Sequence, residues 1–407
     1  MISTIFIALL LIFIYIRDKN RLGILISPSI CFILPTFIVA VLYDVFGARL
    51  GFYTLNRTIY LYIFISSFFF IIGGELACSF KRVHNKLIVF EKQISIIRGI
   101  CLPKRIYKII LLIVILLFFR LSSLGGISVL LDADLQKQYA SGGFYGHILV
   151  LAIFSIILLL SIQHLKSKRF LNFLLLVGVF ISVVFYQVKS WLIFPIIASI
   201  FYKICIGVKQ SFLKYGIVLI SIVGCFILGY AFTYSLNDTD NQLFILNHFL
   251  KYIVAGVGGW SEALTDSYPT GQNPMYLLQP FSNILGINQA RIDARYEFIF
   301  INVNGEYTNV FTLIGSALLF AGPLRAYAYF TMLGFVSYYL AVYCIKRTNT
   351  GTLLVYSILC TSLFLGFFGS YFTLLNIYEL MLYAFLLKYF IRKMNAKQNR
   401  IIECRKE

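Results

Sequence analysis

Hydrophobic residues run continuously over long stretches of the chain, and short polar or basic stretches separate the runs. A helix needs about 20 apolar residues to cross a bilayer, whereas a membrane β-strand needs about 10 residues that alternate in polarity. The continuous runs therefore predict an all-α polytopic membrane protein with about 11 transmembrane helices. We place these spans at about 2–16, 22–43, 59–78, 106–121, 146–164, 170–186, 190–206, 215–235, 323–344, 352–370 and 373–391.

The composition excludes a water-soluble globular protein. Of the 407 residues, 60% are hydrophobic and only 13% are charged, and the mean hydropathy is +0.87. The first run lacks the basic leader and the small-residue cleavage site of a signal peptide, so we expect it to be retained as the first span. We treat residues 1–407 as a single integral membrane domain.

The basic residues orient the predicted spans. A net charge of +19 would suggest nucleic-acid binding in a soluble protein, but here Lys and Arg cluster in alternate loops, which is typical of cytoplasmic loops. With those clusters inside, the N-terminus lies outside, the basic tail 392–407 is cytoplasmic, and no nucleic-acid partner is expected. The outer side then holds the segments 44–58, 122–145 and 187–189 and a large periplasmic loop, 236–322.

The stretch 306–322 is apolar enough to cross the membrane, but the charge pattern argues against it. If it crossed, Lys346, Arg347 and the basic tail would all lie outside. We therefore expect an interfacial or re-entrant helix, and irregular backbone at membrane depth is tolerated only against protein or a water-filled cavity. A second helix is predicted in the same loop at 241–256, with His248 and Lys251 on one face.

Cations that stay on the outer side against the charge bias are candidates for anion binding. Arg291 and Arg295 are four residues apart, so on a helix they share a face where an anion would relieve their repulsion. In a strand they would instead alternate with acidic residues as a self-paired patch. Lys189 lies at a tight turn, where it either snorkels to the interface or faces an anionic headgroup. Arg325, at the outer boundary, is a further candidate.

Three outer groups are candidate general bases: His248, Glu262 and His147, in that order. Either histidine could accept a proton from a sugar hydroxyl at neutral pH, and the carboxylate of Glu262 is an alternative base. His248 is first because Lys251 would keep its imidazole neutral. It also precedes the sequence GVGGW, which we interpret as a turn that a sugar could approach.

Neither metal nor cofactor chemistry is indicated. The pairs Asp132–Asp134 and Asp238–Asp240 have the DxD spacing of metal-dependent sugar transferases, but a three-residue pattern is a weak signal. No Cys/His spacing typical of a zinc site occurs. We therefore expect no metal and no cofactor. Glu379 lies inside a predicted span, where a partner on another helix is one option, and we assign it no role.

Three short segments and the order of the spans carry a family resemblance. YIVAGVGGWSEAL (252–264) resembles the Tyr- and Gly-rich entry to the large periplasmic loop of O-antigen polymerases, the Wzy or oligosaccharide repeat-unit polymerase family. YTNVFTLIGSALLFAGPLRAY (307–327) resembles the TNVYT-type segment that follows that loop. YQVKSWLIFPI (186–196) resembles a span start in which a basic residue precedes Ser. The late large loop and the basic tail are similar as well.

The resemblance implies an O-antigen polymerase, a glycosyltransferase of lipopolysaccharide biosynthesis in the bacterial cell inner membrane. Such an enzyme transfers a glycan from undecaprenyl pyrophosphate to a second lipid-linked repeat unit. The implied partners are undecaprenyl-pyrophosphate-linked oligosaccharides, membrane lipid and a chain-length regulator protein. With that chemistry, the outer cations would stabilise the leaving pyrophosphate, and one of the three candidate bases would deprotonate the acceptor hydroxyl.

Two other functions share part of this pattern. An O-antigen ligase has the same large-loop plan and would be expected to carry a loop histidine near cations, as His248 is near Lys251. A flippase for lipid-linked oligosaccharides would not be an enzyme and would favour more spans, short loops on both sides and charges along a central cavity. The long outer loop and the clean spans favour the polymerase.

Overall fold

The structure, a computed structural model, is built almost entirely of helices. For the helical segments 239–250 and 390–403 it describes the course of the backbone alone. The described residues are 2–23, 25–79, 87–98, 100–130, 132–140, 143–163, 166–186, 190–208, 224, 239–287, 299–302 and 307–403.

The helices are numbered here in chain order. They are α1 (Ile2–Leu22), α2 (Pro28–Phe46), α3 (Thr58–Ser79), α4 (Leu87–Arg98), α5 (Lys104–Ser123), α6 (Ala133–Ala140), α7 (Phe144–Ser161), α8 (Arg169–Val184), α9 (Ser190–Cys205), α10 (Thr239–Thr265), α11 (Gln279–Ile284), α12 (Leu313–Ser316), α13 (Pro323–Lys346), α14 (Thr350–Phe364) and α15 (Leu375–Glu403).

The prediction of an all-α chain with membrane-spanning helices is confirmed at the level of helix length and composition. Within the described residues, 6 helices are long and apolar enough to cross a membrane: α2, α3, α5, α7, α13 and α14 with its 3-10 extension to Phe367. Helices α8 and α9 are apolar but shorter. The predicted span 215–235 lies outside the described residues.

The chain divides into two compact units, and α14 and α15 pass from one to the other. The large loop of the charge map falls wholly in the first unit. The first unit comprises Met1–Leu87, Tyr234–Ile345 and Leu359–Ile377, and the second comprises Ile88–Thr233, Lys346–Ile358 and Tyr378–Glu407.

Local sequence determines where helices α2 and α3 of the first unit begin. The Ser27 hydroxyl accepts a hydrogen bond from the Ile30 N–H, and Pro28 occupies the first helical position of α2. The Asn56 side chain accepts from the Thr58 N–H (3.1 Å) at the start of α3. In both cases a polar side chain satisfies a backbone donor that has no partner within its helix.

Helices α3 and α13 cross at two glycines. A Cβ added to Gly73 would lie 1.9 Å from the Thr331 carbonyl oxygen, and one added to Gly334 would lie 2.0 Å from the Phe70 carbonyl oxygen. The backbones therefore approach each other as closely as they do in small-residue crossings of membrane helices.

A buried polar cluster joins α1, α2, α3 and α13 within the first unit. The Arg17 guanidinium donates to Glu75 Oε1 (2.7 Å) and to the Tyr338 hydroxyl (2.7 Å). Asp18, which is buried, accepts from the hydroxyls of Ser27 and Tyr338. Each charge has an opposite partner, which offsets the cost of removing it from water. We therefore assign this cluster a structural role.

Helix α7 is the central helix of the second unit. It packs against α5, α8 and α9, and its side chains from Ile148 to Leu159 are almost all buried. The Leu102 N–H donates to the Gln163 carbonyl (2.9 Å), and the Arg98 guanidinium donates to the Ile206 carbonyl (2.8 Å). These bonds hold the connections between helices in place.

The stretch 306–322 does not form a continuous helix of spanning length. Tyr307–Thr308 pairs with Ile299–Phe300 as a short antiparallel ladder, and extended backbone follows. Helix α12 then continues into a π-helix, Ala317–Ala321, so the helical part is 313–321. At roughly 1.5 Å per residue, nine residues cover about 14 Å, about half of a 30 Å hydrocarbon core. Residues 311–321 are all buried in protein.

Candidate functional site

The two longest segments that carry the family resemblance pack directly on each other. Residues 252–264 form the C-terminal half of α10, and 307–321 lie against it in the first unit. The Thr312 N–H donates to the Gly256 carbonyl (3.3 Å), and a Cβ on Gly315 would lie 2.7 Å from the Trp260 ring. A Cβ on Gly259 would lie 2.7 Å from the Thr308 side chain. The glycines thus serve helix packing.

The interpretation of GVGGW as an open turn is wrong. All five residues lie inside α10 and are buried, so their backbone is not open to a sugar. A glycine run has the same sequence whether it bends a chain or lets a helix approach another element. The predicted helix 241–256 exists, and it extends on both sides to 239–265.

Glu262 lies at the edge of this packed pair of segments, one turn after Gly258 on α10. A Cβ added to Gly258 would lie 3.1 Å from Tyr43 Cε2 and 3.3 Å from the Tyr43 hydroxyl oxygen. Tyr43 is buried, its hydroxyl has no hydrogen-bond partner among the described residues, and Glu262 is close enough to interact with it electrostatically. The carboxyl of Glu262 therefore lies within electrostatic range of the Tyr43 phenol, and we take these two groups as the candidate site.

The protonation of Glu262 suits proton transfer. Burial raises the pKa of its carboxyl to about 7, and repulsion by the Asp266 carboxylate adds to the shift. The side chain is only half-buried, so water can reach it. At neutral pH both the acid and the carboxylate are populated, which is the condition for an efficient general base or acid.

Polar contacts fix α10 beside this site. The Ser261 hydroxyl accepts from the Asn56 N–H (2.8 Å), and the Asn56 amide donates to the Thr265 hydroxyl (3.3 Å). The Trp260 ring is fully buried, 6.3 Å from the Tyr62 ring, and its indole N–H has no partner among the described residues. Glu262 is therefore held on a rigid element.

Arg325 is exposed at the start of α13. Its guanidinium donates to the Ala321 carbonyl (3.3 Å), at the end of the π-helix. Arg325 and Glu262 are both among the described residues, and neither a hydrogen bond nor an ion pair joins them. Arg325 therefore remains open to solvent for an anion, and its role in pyrophosphate binding stays a prediction.

His147 lies in the second unit and is paired. Its Nδ1 lies 3.0 Å from Glu379 Oε1, and the side chain of Glu379 is 14% exposed while that of His147 is 55% exposed. Glu379 therefore has a partner on another helix. Because the Glu379 carboxylate accepts a hydrogen bond from Nδ1–H of a neutral imidazole, Nε2 is left as the acceptor. A base role for His147 stays a prediction.

The other predicted site residues cannot be placed by their side chains. Lys189, Arg291 and Arg295 lie outside the described residues, as does Asp238. His248 lies in α10, in the part where only the backbone is described. Lys251 is predicted to share a helix face with His248. Its ammonium group lies 5.3 Å from the centre of the Tyr307 ring.

Sequence reasoning missed Tyr43 and left the Asp132–Asp134 pair without a role. Tyr43 was counted as part of an apolar span, and only its position near the outer end of that span could have marked it. Asp132 has a local structural role: its carboxylate accepts from the N–H groups of Asp134 (2.8 Å) and Leu135 (3.2 Å) at the start of α6. The DxD spacing there reflects a helix N-terminus.

The chain belongs to DUF6337, a family of unknown function that matches residues 49–398. No curated protein and no solved structure matches it.

Proposed function

We propose that this member of a family of unknown function is an O-antigen polymerase. It would transfer a glycan from undecaprenyl pyrophosphate to another lipid-linked repeat unit at the periplasmic face of the inner membrane. The observation that carries the proposal is the packing of 252–264 on 307–321 with Glu262 at their edge. Two segments that are distant in sequence, and that each resemble the same family, pack together here and carry a titratable group at their edge.

The contacts within each unit support the proposed topology of about 11 spans with the large loop outside. In the first unit the Asn56 N–H donates to Ser261 and the Tyr53 N–H to the Ile301 carbonyl (3.0 Å), which joins segments that the charge map places outside. In the second unit the Arg98–Ile206 contact joins segments that it places inside. The buried nine-residue helix 313–321 is consistent with a re-entrant element.

The chemistry assigns a role to each group. The acceptor hydroxyl oxygen would form a bond to the anomeric carbon of the donor sugar as the bond from that carbon to the pyrophosphate oxygen breaks. Undecaprenyl pyrophosphate leaves with the electron pair, and Glu262 takes the hydroxyl proton. Arg291, Arg295, Lys189 and Arg325 are the proposed partners of the developing phosphate charge.

The Glu262→Gln variant tests the proposal directly. The amide keeps the shape of the side chain but cannot accept the proton, so polymer formation from lipid-linked repeat units in proteoliposomes should fall by roughly 10²–10⁴. The matched control is Glu379→Gln, which changes a carboxyl in the second unit that is already paired with His147. If Glu262 is the base, Glu379→Gln should retain activity. If Glu379→Gln alone is inactive, the role of base is assigned to His147 instead.

The lipopolysaccharide of a strain that lacks the protein separates the competing functions. Cores that carry a single repeat unit would support the polymerase. Cores with no repeat unit would overturn it in favour of the ligase or the flippase. Complementation with the wild-type chain should restore the full ladder, and complementation with Glu262→Gln should leave single repeats.

A further inference from the structure

The connection from α10 to the end of α11 has an unusual composition for a loop. From Ser267 to Ala290 the sequence contains no Lys, Arg, Asp or Glu. Its apolar residues are not all turned inwards: Leu277 and Pro280 are buried, but so is the polar Ser282. A segment that faces water usually buries its apolar side chains and exposes its polar ones, whereas here a polar side chain is buried and apolar side chains are exposed.

The outward side of this segment is mostly apolar, although the polar Asn283 is exposed as well. Leu285 is 72% exposed and Ile284 is 64% exposed, and Leu278, Phe281 and Ile287 are exposed as well. We call residues 278–287 the interface segment. Five large apolar side chains within ten residues form a patch that a water-facing loop rarely presents.

The interface segment is anchored to the beginning of a helix of membrane-spanning length. Just before it, the Gly271 N–H donates to the Leu319 carbonyl (2.8 Å) and the Asn273 N–H to the Phe320 carbonyl (2.9 Å). The backbones of Gly271 and Gly322 are in contact, since a Cβ on Gly322 would lie 3.3 Å from Gly271 Cα. Helix α13 starts at the next residue, and Leu324 in its first turn is 84% exposed.

We propose that the interface segment lies on the membrane surface and inserts its apolar side chains between lipid headgroups and acyl chains. Two observations favour lipid over a protein partner. The residues just before the segment are hydrogen-bonded to those just before α13, at the end of a helix of spanning length, where such a helix meets the headgroup region. It also carries no charge for a partner to recognise, whereas apolar faces of this kind settle about 5–10 Å into the headgroup boundary.

This inference does not rest on the proposed chemistry, but it has a consequence for it. Helix α10 ends at Thr265, and the connection to the interface segment begins there. A membrane-bound interface segment would hold the C-terminal end of α10, with Glu262, near the level where the headgroup of a lipid-linked substrate lies. It also replaces 306–322 as the surface-bound element of the loop, because residues 311–321 are buried in protein.

Tryptophan quenching in proteoliposomes tests the position of the segment. The probe is Leu285→Trp, with Ile284→Trp as a second probe if the first variant does not purify as a monodisperse protein. The control is Thr270→Trp, at an exposed polar residue before the anchor. The native Trp191 and Trp260 are buried, and the emission of the wild-type protein is subtracted. Each variant is measured with acrylamide and with lipids brominated near the headgroup.

The proposal predicts that the Leu285→Trp emission is lost to the brominated lipid and protected from acrylamide, with the opposite behaviour for Thr270→Trp. If acrylamide quenches Leu285→Trp as strongly as the control, the segment faces water and the proposal is wrong. If neither quencher acts on it, protein covers the segment, as a regulator or a second copy would, and the proposal is equally wrong.

Discussion

Burial and a like charge act together on the carboxyl of Glu262, and they act in the same direction. Both disfavour the carboxylate, so the pKa rises to about 7. A base must be deprotonated to work, so transfer activity should rise with pH through this value and level off above it. The rate should therefore change with pH around the pKa of Glu262, where its protonation state changes.

Asp266→Asn separates the two causes. Removing the neighbouring negative charge stabilises the Glu262 carboxylate, so the acidic limb of the pH–rate profile should move to lower pH. Asp266 is exposed and screened, so we expect a shift of about half a pH unit or less, with the plateau rate unchanged. Asp134→Asn, an exposed aspartate of the second unit, is the control. An unshifted limb in Asp266→Asn would mean that another group sets the profile.

The cation prediction is tested by the type of charge as well as by its loss. If Arg291 and Arg295 hold the donor's pyrophosphate, each change to Ala should cost on the order of 10²–10³ in rate. Arg295→Lys should also be impaired, because lysine cannot form the bidentate contact. The readout is polymer formation at matched protein levels. Normal ladders from both alanine variants would identify the arginines as surface charges.

Single residues show where sequence reasoning was sufficient. Glu262 could be nominated because the charge map places its carboxyl in the predicted outer loop. The Tyr43 phenol and the pairing of His147 with Glu379 depend on contacts between residues far apart in the chain, which no local pattern encodes. The roles of Lys189, Arg291 and Arg295 stay predictions from charge alone.

At the scale of elements, most helices could be predicted and the glycines could not. The predicted start at 323 matches the helix that begins at Pro323, whereas the span predicted from residue 22 begins at Pro28. A glycine in an apolar run, by contrast, serves either a turn or a close helix contact. GVGGW and the crossing of α3 with α13 are both of the second kind.

Gly73→Ala tests the crossing of α3 and α13. The new methyl group would overlap the Thr331 carbonyl oxygen, and backbone cannot move aside as a flexible side chain can. We expect a loss of about 1–3 kcal/mol in stability, seen as earlier thermal aggregation in detergent. Gly369→Ala is the matched control, because nothing lies within 4 Å of the added Cβ there. Equal melting of the two variants would show that the crossing is looser than described.

At the scale of the whole molecule, the proposed chemistry requires that each connection lie on a particular side of the membrane. Hydropathy identifies spans but not their orientation, and only the distribution of Lys and Arg supplies that. The decisive segment is 306–322, because one additional crossing there would invert every later connection. The helix within it, 313–321, is buried and at about 14 Å covers about half of the hydrocarbon core, which favours a segment that stays on one side.

Reporter fusions at two positions test the orientation. A fusion after Lys346 should be active with a cytoplasmic reporter and silent with a periplasmic one, because α13 would then run from the outer side inwards. A fusion after Thr270 should behave in the opposite way, since this residue lies in the predicted periplasmic loop. The pair gives an internal control, because a fusion that simply fails to insert is silent with both reporters. If both positions report the same side, 306–322 crosses the membrane after all. If both report the reverse of the predicted sides, the charge map is inverted, and Glu262 cannot act on a periplasmic substrate.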